Sequence, residues 1–321
     1  MLTKVRFALQ GAIVILVVSV STIVLTSVIF VLAVFKLLAP AGRARNVMTR
    51  WLSLLGELWV SVNRTMAWFY RGMEWDVHMP DGISHTGRYL VFCNHQSGVD
   101  ILVLQHCLNR RAPFGRYLLK HQLIWVPVLG IAWWGLDMAF LRRYSRQELI
   151  RNPSLRGKDL ENAARACEKL KHIPVAMMTF PEGTRFTEAK RETQNSPYRH
   201  LLRPRYGGIG QVLYSFDEAL DCLIDVTIIY PDGVPTVWQY VSGQVKKITV
   251  HIALRAIDNG LRGRDFREDV VAKGQLKNWL GDIWEEKERL INDTCDGPSV
   301  RAGNVTTTGS GTHPDSGSRY E

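Results

Sequence analysis

Two short stretches carry side chains of the kinds that move protons and hold anions. In the run Asn94-His95-Gln96-Ser97-Gly98-Val99-Asp100, a histidine precedes an aspartate by five residues, with only small or weakly polar side chains between them. If a strand ends just before His95 and a helix starts near Ser97, one helical turn brings Asp100 back toward the imidazole. A carboxylate bonded to one ring nitrogen fixes the tautomer and makes the other nitrogen a better base. The second stretch, residues 179–186, reads TFPEGTRF. Gly183 permits unusual backbone geometry and close approach of a ligand, and Arg185 offers a planar fork of donors suited to phosphate. Thr184 and the loop amides add hydrogen bonds, while Glu182 can bind a hydroxyl or orient the arginine.

Each stretch also has a plainer reading. A single histidine at a strand end is more often a satisfied polar residue than a catalyst, Asp100 could be helix-terminal charge, and PEGTR could be a turn with a surface ion pair. Metal ligation fits poorly, because no second His or Cys lies at ligand spacing. A serine nucleophile fits poorly too: Ser97 has no G-x-S-x-G elbow around it and reads as a helix cap. A base and a phosphate clamp in one chain are more specific than either alone.

Both stretches need strands to present them. Apolar runs at 88–93, 138–142, 173–180, 223–230 and 247–254 read as strands, and helices are expected at 97–109, 158–171 and 264–292. Strands alternating with helices predict an α/β domain, a mixed sheet flanked by helices. In such sheets ligands bind where loops leave the carboxyl ends of strands, which is where both stretches fall.

The rest of the chain bears on location. Residues 7–35 contain no charged side chain and exceed the roughly 20 residues a spanning helix needs, so an N-terminal membrane-anchoring helix is expected, either spanning or re-entrant. Lys4 and Arg6 precede it and Lys36, Arg43, Arg45 and Arg50 follow, which places the main body on the cytoplasmic side of the inner (cytoplasmic) membrane. Residues 51–69 form an amphipathic helix, with Trp51, Leu55, Leu58, Val62, Met66 and Phe69 at helical spacing, suited to the membrane interface. The expected division is therefore 1–71, membrane segment and interfacial helix; 72–295, α/β domain; 296–321, a disordered tail with almost no large apolar residue. The formal charge of +10 comes with no nucleic-acid motif and suits an anionic leaflet and an anionic substrate. Five scattered cysteines without a C-x-x-C pair fit free thiols in a reducing compartment.

The two stretches resemble the signatures of the membrane glycerolipid acyltransferases. NHQSGVD matches that family's N-H-x-x-x-x-D motif and FPEGTR its second signature. Between them, residues 118–134 (LLKHQLIWVPVLGIAWW) are similar to the family's Lys-containing stretch leading to Pro127 and Gly130. Residues 135–143 match more loosely, in a manner closer to the YihG-type and lysocardiolipin-acyltransferase-like branch. The resemblance covers residues 85–235. It implies acyl transfer from acyl-CoA or acyl carrier protein to a lysophospholipid hydroxyl, most often that of 1-acylglycerol 3-phosphate, with no cofactor and no metal. It implies His95 as base, Asp100 as its orienting carboxylate, Lys120 and Arg185 on the acceptor phosphate, Glu182 and Gly183 shaping the same pocket, and Arg142 or Arg143 assisting. Its alternatives are a different lysophospholipid acceptor (lysophosphatidylglycerol or lysocardiolipin), a non-catalytic membrane adaptor, and a hydrolase that passes the acyl group to water.

Overall fold

The charge-free segment folds as one uninterrupted helix, α1 (Leu2–Leu38), about 55 Å long at 1.5 Å per residue and long and apolar enough to cross a membrane. The computed structural model describes residues 2–40, 42–66, 72–141, 146–152, 161, 164, 167, 168, 170–266 and 268–296. A single stripe of α1 (Gly11, Val14, Thr26, Ile29 and Ala33) is buried, and its other sides expose large apolar residues such as Leu9, Ile13, Leu16 and Ile23.

The second helix, α2 (Arg43–Met66), begins eight residues before the expected start. Its buried stripe is Thr49, Leu52, Gly56 and Val60, not the row of Trp51, Leu55, Leu58 and Val62 that the periodicity suggests. The reason is Gly56: a Cβ there would sit 2.5 Å from the Phe114 ring, so the bare backbone turns toward the domain. Trp51, Leu54 and Leu58 are left exposed. Trp59 Nε1 donates to Thr22 Oγ1 of α1 at 2.9 Å.

The remaining elements are β1 (Glu74–His78), β2 (Arg88–Cys93), α3 (Val99–Leu108), β3 (Gly115–Lys120), α4 (Leu129–Gly135), β4 (Ala139–Leu141), α5 (Arg146–Arg151), β5 (Val175–Thr179), α6 (Glu188–Thr193), α7 (Gly207–Phe216), β6 (Cys222–Ile229), α8 (Val237–Val241), β7 (Lys247–Arg255) and α9 (Val270–Asp296). The strands form one seven-stranded sheet in the order β1-β7-β6-β2-β5-β3-β4. Among the described residues only the β6–β7 pairing is antiparallel, so the sheet is mixed, as expected. Alternating residues face opposite layers. Leu90, Phe92, Val175 and Met177 pack with Val212 of α7 and Leu280 and Trp284 of α9. Tyr89, Val91, Cys93, Ala176 and Met178 face the other way, against Val99, Val103 and Leu104 of α3. Lys287 of α9, 1% exposed, pairs with Asp225 of β6 at 2.5 Å and ties that helix to the sheet.

The apolar runs at 88–93, 173–180, 223–230 and 247–254 are all strands, and β4 occupies the middle of 138–142. Two strands carry charge and show no apolar run. β1 (EWDVH) is an edge strand. β3 (GRYLLK) buries Arg116, whose guanidinium donates to Leu136 O at 3.3 Å and Ser53 Oγ at 2.9 Å. The helix expected at 158–171 falls largely outside the described residues, as do Arg142, Arg143 and the tail after 296.

Candidate active site

β2 ends at Cys93 in the middle of the sheet, and Asn94 extends its pairing by one residue. The Asn94 amide accepts from Ile228 N and donates to Ile228 O, both at 2.8 Å, which splices the turn onto β6. His95 follows, and its backbone is held on both sides: its amide donates to Glu182 Oε1 at 2.8 Å and its carbonyl accepts from Phe186 N at 2.7 Å. The imidazole stacks on Phe180, ring centroids 4.1 Å apart.

Asp100 returns in the first turn of α3, 1% exposed. Its Oδ2 lies 2.9 Å from His95 Nδ1 and accepts from Gln96 N at 2.6 Å and Ser97 N at 2.8 Å. Its Oδ1 accepts from the Tyr230 hydroxyl at 2.7 Å. A carboxylate surrounded by donors puts the imidazole proton on Nδ1, so Nε2 carries the free lone pair. Tyr230 was not anticipated from the sequence. Burial, and then the Asp100 charge, push its phenol well above the usual tyrosine range, so it stays a donor. Ser97 behaves as a cap: its Oγ accepts from Val99 N at 3.1 Å and donates to Pro235 O at 2.5 Å.

The second stretch turns at the end of β5, closed by Gly183 N donating to Phe180 O at 2.8 Å, with Gly183 at φ +70°. A Cβ at Gly183 would come within 3.3–3.8 Å of the Arg205 side chain, so the glycine seats a second arginine against the loop. Arg205 N also donates to Pro181 O at 2.8 Å. The Arg185 guanidinium lies beside Gly98 at the start of α3. Lys190 Nζ binds Thr184 Oγ1 and Arg185 O, both at 2.9 Å, which commits the threonine hydroxyl to holding the loop.

His95, Lys120, Gly183, Thr184, Arg185 and Arg205 line one cavity of about 370 Å³, and no Asp or Glu is among its described lining residues. Lys120 reaches it because it ends β3, two strands from β2. Asp100 and Glu182 lie outside this lining. Glu182 is fully buried, with Oε1 accepting from His95 N and Oε2 from Leu202 N at 2.9 Å. Its role here is to hold the backbone under His95, in place of the hydroxyl or arginine contact expected of it. Burial pushes its carboxyl up to about 8, against the two amides, which lower it. Arg205 had no sequence signal beyond its charge. Next to this cavity lies an apolar one of about 620 Å³ between α1, α2, α3 and β3. Ile101, Tyr117 and Leu119 line both.

The chain is similar to known proteins in sequence and in fold. The chain is 25% identical over 232 residues to 1-acyl-sn-glycerol-3-phosphate acyltransferase epsilon of Mus musculus, covering 65% of this chain and 58% of that protein. It is 25% identical over 234 residues to lysocardiolipin acyltransferase 1 of Gallus gallus, covering 68% of this chain and 56% of that one. The chain thus spans little more than half the length of these curated relatives. In fold it resembles the crystal structure of PlsC, the 1-acyl-sn-glycerophosphate (LPA) acyltransferase of Thermotoga maritima, with a TM-score of 0.50 at 17% identity, covering 88% of this chain and 97% of that one. The Acyltransferase family model matches residues 74–252, more than half of the chain, from the start of β1 into β7, so the chain belongs to the Acyltransferase family.

Proposed function

We propose that the protein transfers a fatty acyl group from acyl-CoA or acyl carrier protein to the sn-2 hydroxyl of 1-acylglycerol 3-phosphate, forming phosphatidic acid. The observation that carries this reading is the His95–Asp100 pair opening on a cavity lined by Lys120, Arg185 and Arg205, with no carboxylate among its described lining residues. His95 Nε2 removes the proton from the acceptor hydroxyl as its oxygen attacks the thioester carbonyl. The C–O bond forms, the C–S bond breaks, and the proton passes from His95 to the departing thiolate. No covalent enzyme intermediate is needed, because a thiolate leaves readily. Asp100 stabilises the imidazolium formed on the way, and general base catalysis of this kind is typically worth about 10²–10⁴-fold. Lys120, Arg185 and Arg205 hold the acceptor phosphate, and the adjoining apolar cavity takes hydrocarbon chain. The exposed apolar sides of α1 and the outward tryptophan of α2 support attachment to the bilayer that supplies both lipids. The basic residues after α1 support a catalytic domain on the cytoplasmic side of the inner membrane.

A second acceptor class has a specific observation in its favour, since identity to lysocardiolipin acyltransferase 1 equals that to the 1-acyl-sn-glycerol-3-phosphate acyltransferase epsilon. A terminal phosphate with up to two charges suits three cations better than the single charge of a phosphodiester. Purified wild type and His95→Ala, offered acyl-CoA or acyl carrier protein with lysophosphatidate, lysophosphatidylglycerol and lysocardiolipin, test both statements. Wild type is expected to prefer lysophosphatidate and His95→Ala to be inactive while still membrane-bound. A clear preference for the phosphodiesters overturns the acceptor assignment, activity of His95→Ala within a few-fold of wild type overturns the base, and free fatty acid as the main product makes the protein a hydrolase. A wild type inactive with every pair points to the non-catalytic adaptor.

A further inference from the structure

Tyr117 stands where the two cavities meet and has no part in the mechanism above. It lies on β3 as the Cα partner of Met178, so its side chain projects from the α3 face of the sheet and packs on the core beneath α3. It lines the cationic cavity on one side and the apolar cavity on the other, with Ile101 and Leu119 beside it. Its hydroxyl is buried, and among the described residues it meets no hydrogen-bond partner. Burial pushes the phenol well above the usual tyrosine range, so the group is a protonated donor. Buried hydroxyls without a partner are uncommon in native structures, because each loses its water and gains nothing in exchange.

The chemistry of a ligand that occupies both cavities identifies the partner. Its anionic part rests among Lys120, Arg185 and Arg205, and its hydrocarbon lies between α1, α2 and β3. The last polar atom before the hydrocarbon begins is an acyl carbonyl oxygen, which accepts hydrogen bonds and donates none. We propose that Tyr117 donates a hydrogen bond to this acyl carbonyl oxygen, that of the donor thioester or of the acceptor's sn-1 ester. Tyr117 is then a substrate-contacting residue that sets where the polar part of the lipid stops and the chain begins. This inference rests on the acyl-transfer reading.

The test is Tyr117→Phe, which removes one oxygen and keeps the ring. Because the hydroxyl has no hydrogen-bond partner among the described residues, the variant is expected to melt at or above the wild-type temperature. Both proteins are assayed with palmitoyl-CoA and either 1-acylglycerol 3-phosphate or its 1-O-alkyl ether, which has no sn-1 carbonyl. Binding of palmitoyl-CoA and of each lysolipid is measured on the same preparations. If the contact is to the thioester, kcat falls about 10²-fold with both acceptors. If it is to the acceptor ester, KM and the binding constant for the ester weaken about tenfold while the ether is unaffected. Kinetic and binding constants within twofold of wild type for every ligand overturn the proposal. So does a lowered melting temperature with activity lost in proportion, which makes the hydroxyl a structural group. Failure of the wild type to transfer acyl groups counts against the acyl-transfer reading alone, and the binding constants then decide for or against Tyr117.

Discussion

Replacing Asp100 by asparagine separates the charge of the carboxylate from its hydrogen bonds more cleanly here than in most His–Asp pairs. Asp100 Oδ2 faces three donors, His95 Nδ1 and the amides of Gln96 and Ser97, whereas Oδ1 faces the Tyr230 hydroxyl. An asparagine placed with its NH₂ toward the three donors would meet three N–H groups head on. It therefore settles with its oxygen at the Oδ2 position, and its NH₂ donates to the Tyr230 oxygen, which can accept. The imidazole tautomer survives, Nε2 keeps its lone pair, and only the negative charge is gone. Two unit charges roughly 4 Å apart at an effective dielectric constant of about 20 attract by about 4 kcal/mol, which amounts to about 10³-fold in rate if the imidazolium is fully formed in the transition state. The assay is release of coenzyme A thiol from palmitoyl-CoA with a lysolipid acceptor, read as kcat and as both KM values, beside thermal unfolding. Asp100→Asn is expected to unfold near the wild-type temperature and to lose about 10³-fold in kcat with both KM values nearly unchanged. A loss smaller than tenfold refutes the argument, because His95 would then not acquire charge in the rate-limiting step.

Tyr230→Phe leaves Asp100 Oδ1 buried without its donor but keeps the three bonds to Oδ2. It should cost about 1.5–3 kcal/mol of stability and about tenfold in kcat; a loss as large as that of Asp100→Asn would mean that Tyr230 meets the substrate directly. Arg185→Ala should raise KM for the phosphorylated acceptor about 10- to 100-fold with little change for acyl-CoA, and the reverse pattern would remove Arg185 from the phosphate site. The Glu182 carboxyl, raised from 4.5 to about 8 by burial, binds its proton more tightly folded than unfolded. Its contribution to stability is complete below pH 4.5 and is lost as pH rises toward 8. Unfolding of wild type and Glu182→Gln from pH 5 to 8.5 should therefore show wild type losing stability relative to the variant as pH rises, and parallel curves would show that Glu182 is ionised throughout.

How far each feature could be read depended on where its determinants lie. β2 and β5 are apolar along nearly their whole length because they sit at the centre of the sheet and are covered on both faces. β3 is central enough to be covered as well, yet it carries Arg116, and the partners that make a buried guanidinium tolerable lie in α2 and after α4. No local pattern reports that. The buried stripe of α2 was misjudged for a related reason. Leu52, Gly56 and Val60 form a less apolar row than Trp51, Leu55 and Leu58, and the close approach of Phe114 and Leu136 to Gly56 selects it. His95 and Asp100 were legible because the geometry joining them is local, a strand end, a tight turn and the first turn of a helix.

The remaining site residues meet through strand order. β6, β2, β5 and β3 are adjacent and parallel, so their carboxyl ends lie along one edge of the sheet. His95 follows β2 and Gly183 and Arg185 follow β5, while Lys120 closes β3 and Tyr230 lies one residue beyond β6. The β2–β6 register, Cys93 against Val226, with Asn94 bound to Ile228, carries Tyr230 to Asp100 across 130 residues of chain. The β2–β5 pairing brings Glu182 under the His95 amide across 87 residues. A glutamate in the motif PEGTR has the same composition whether it faces a ligand or two backbone amides. Adjacency of two parallel strands decides between them, and it turns Glu182 inward while leaving Arg185 in the cavity.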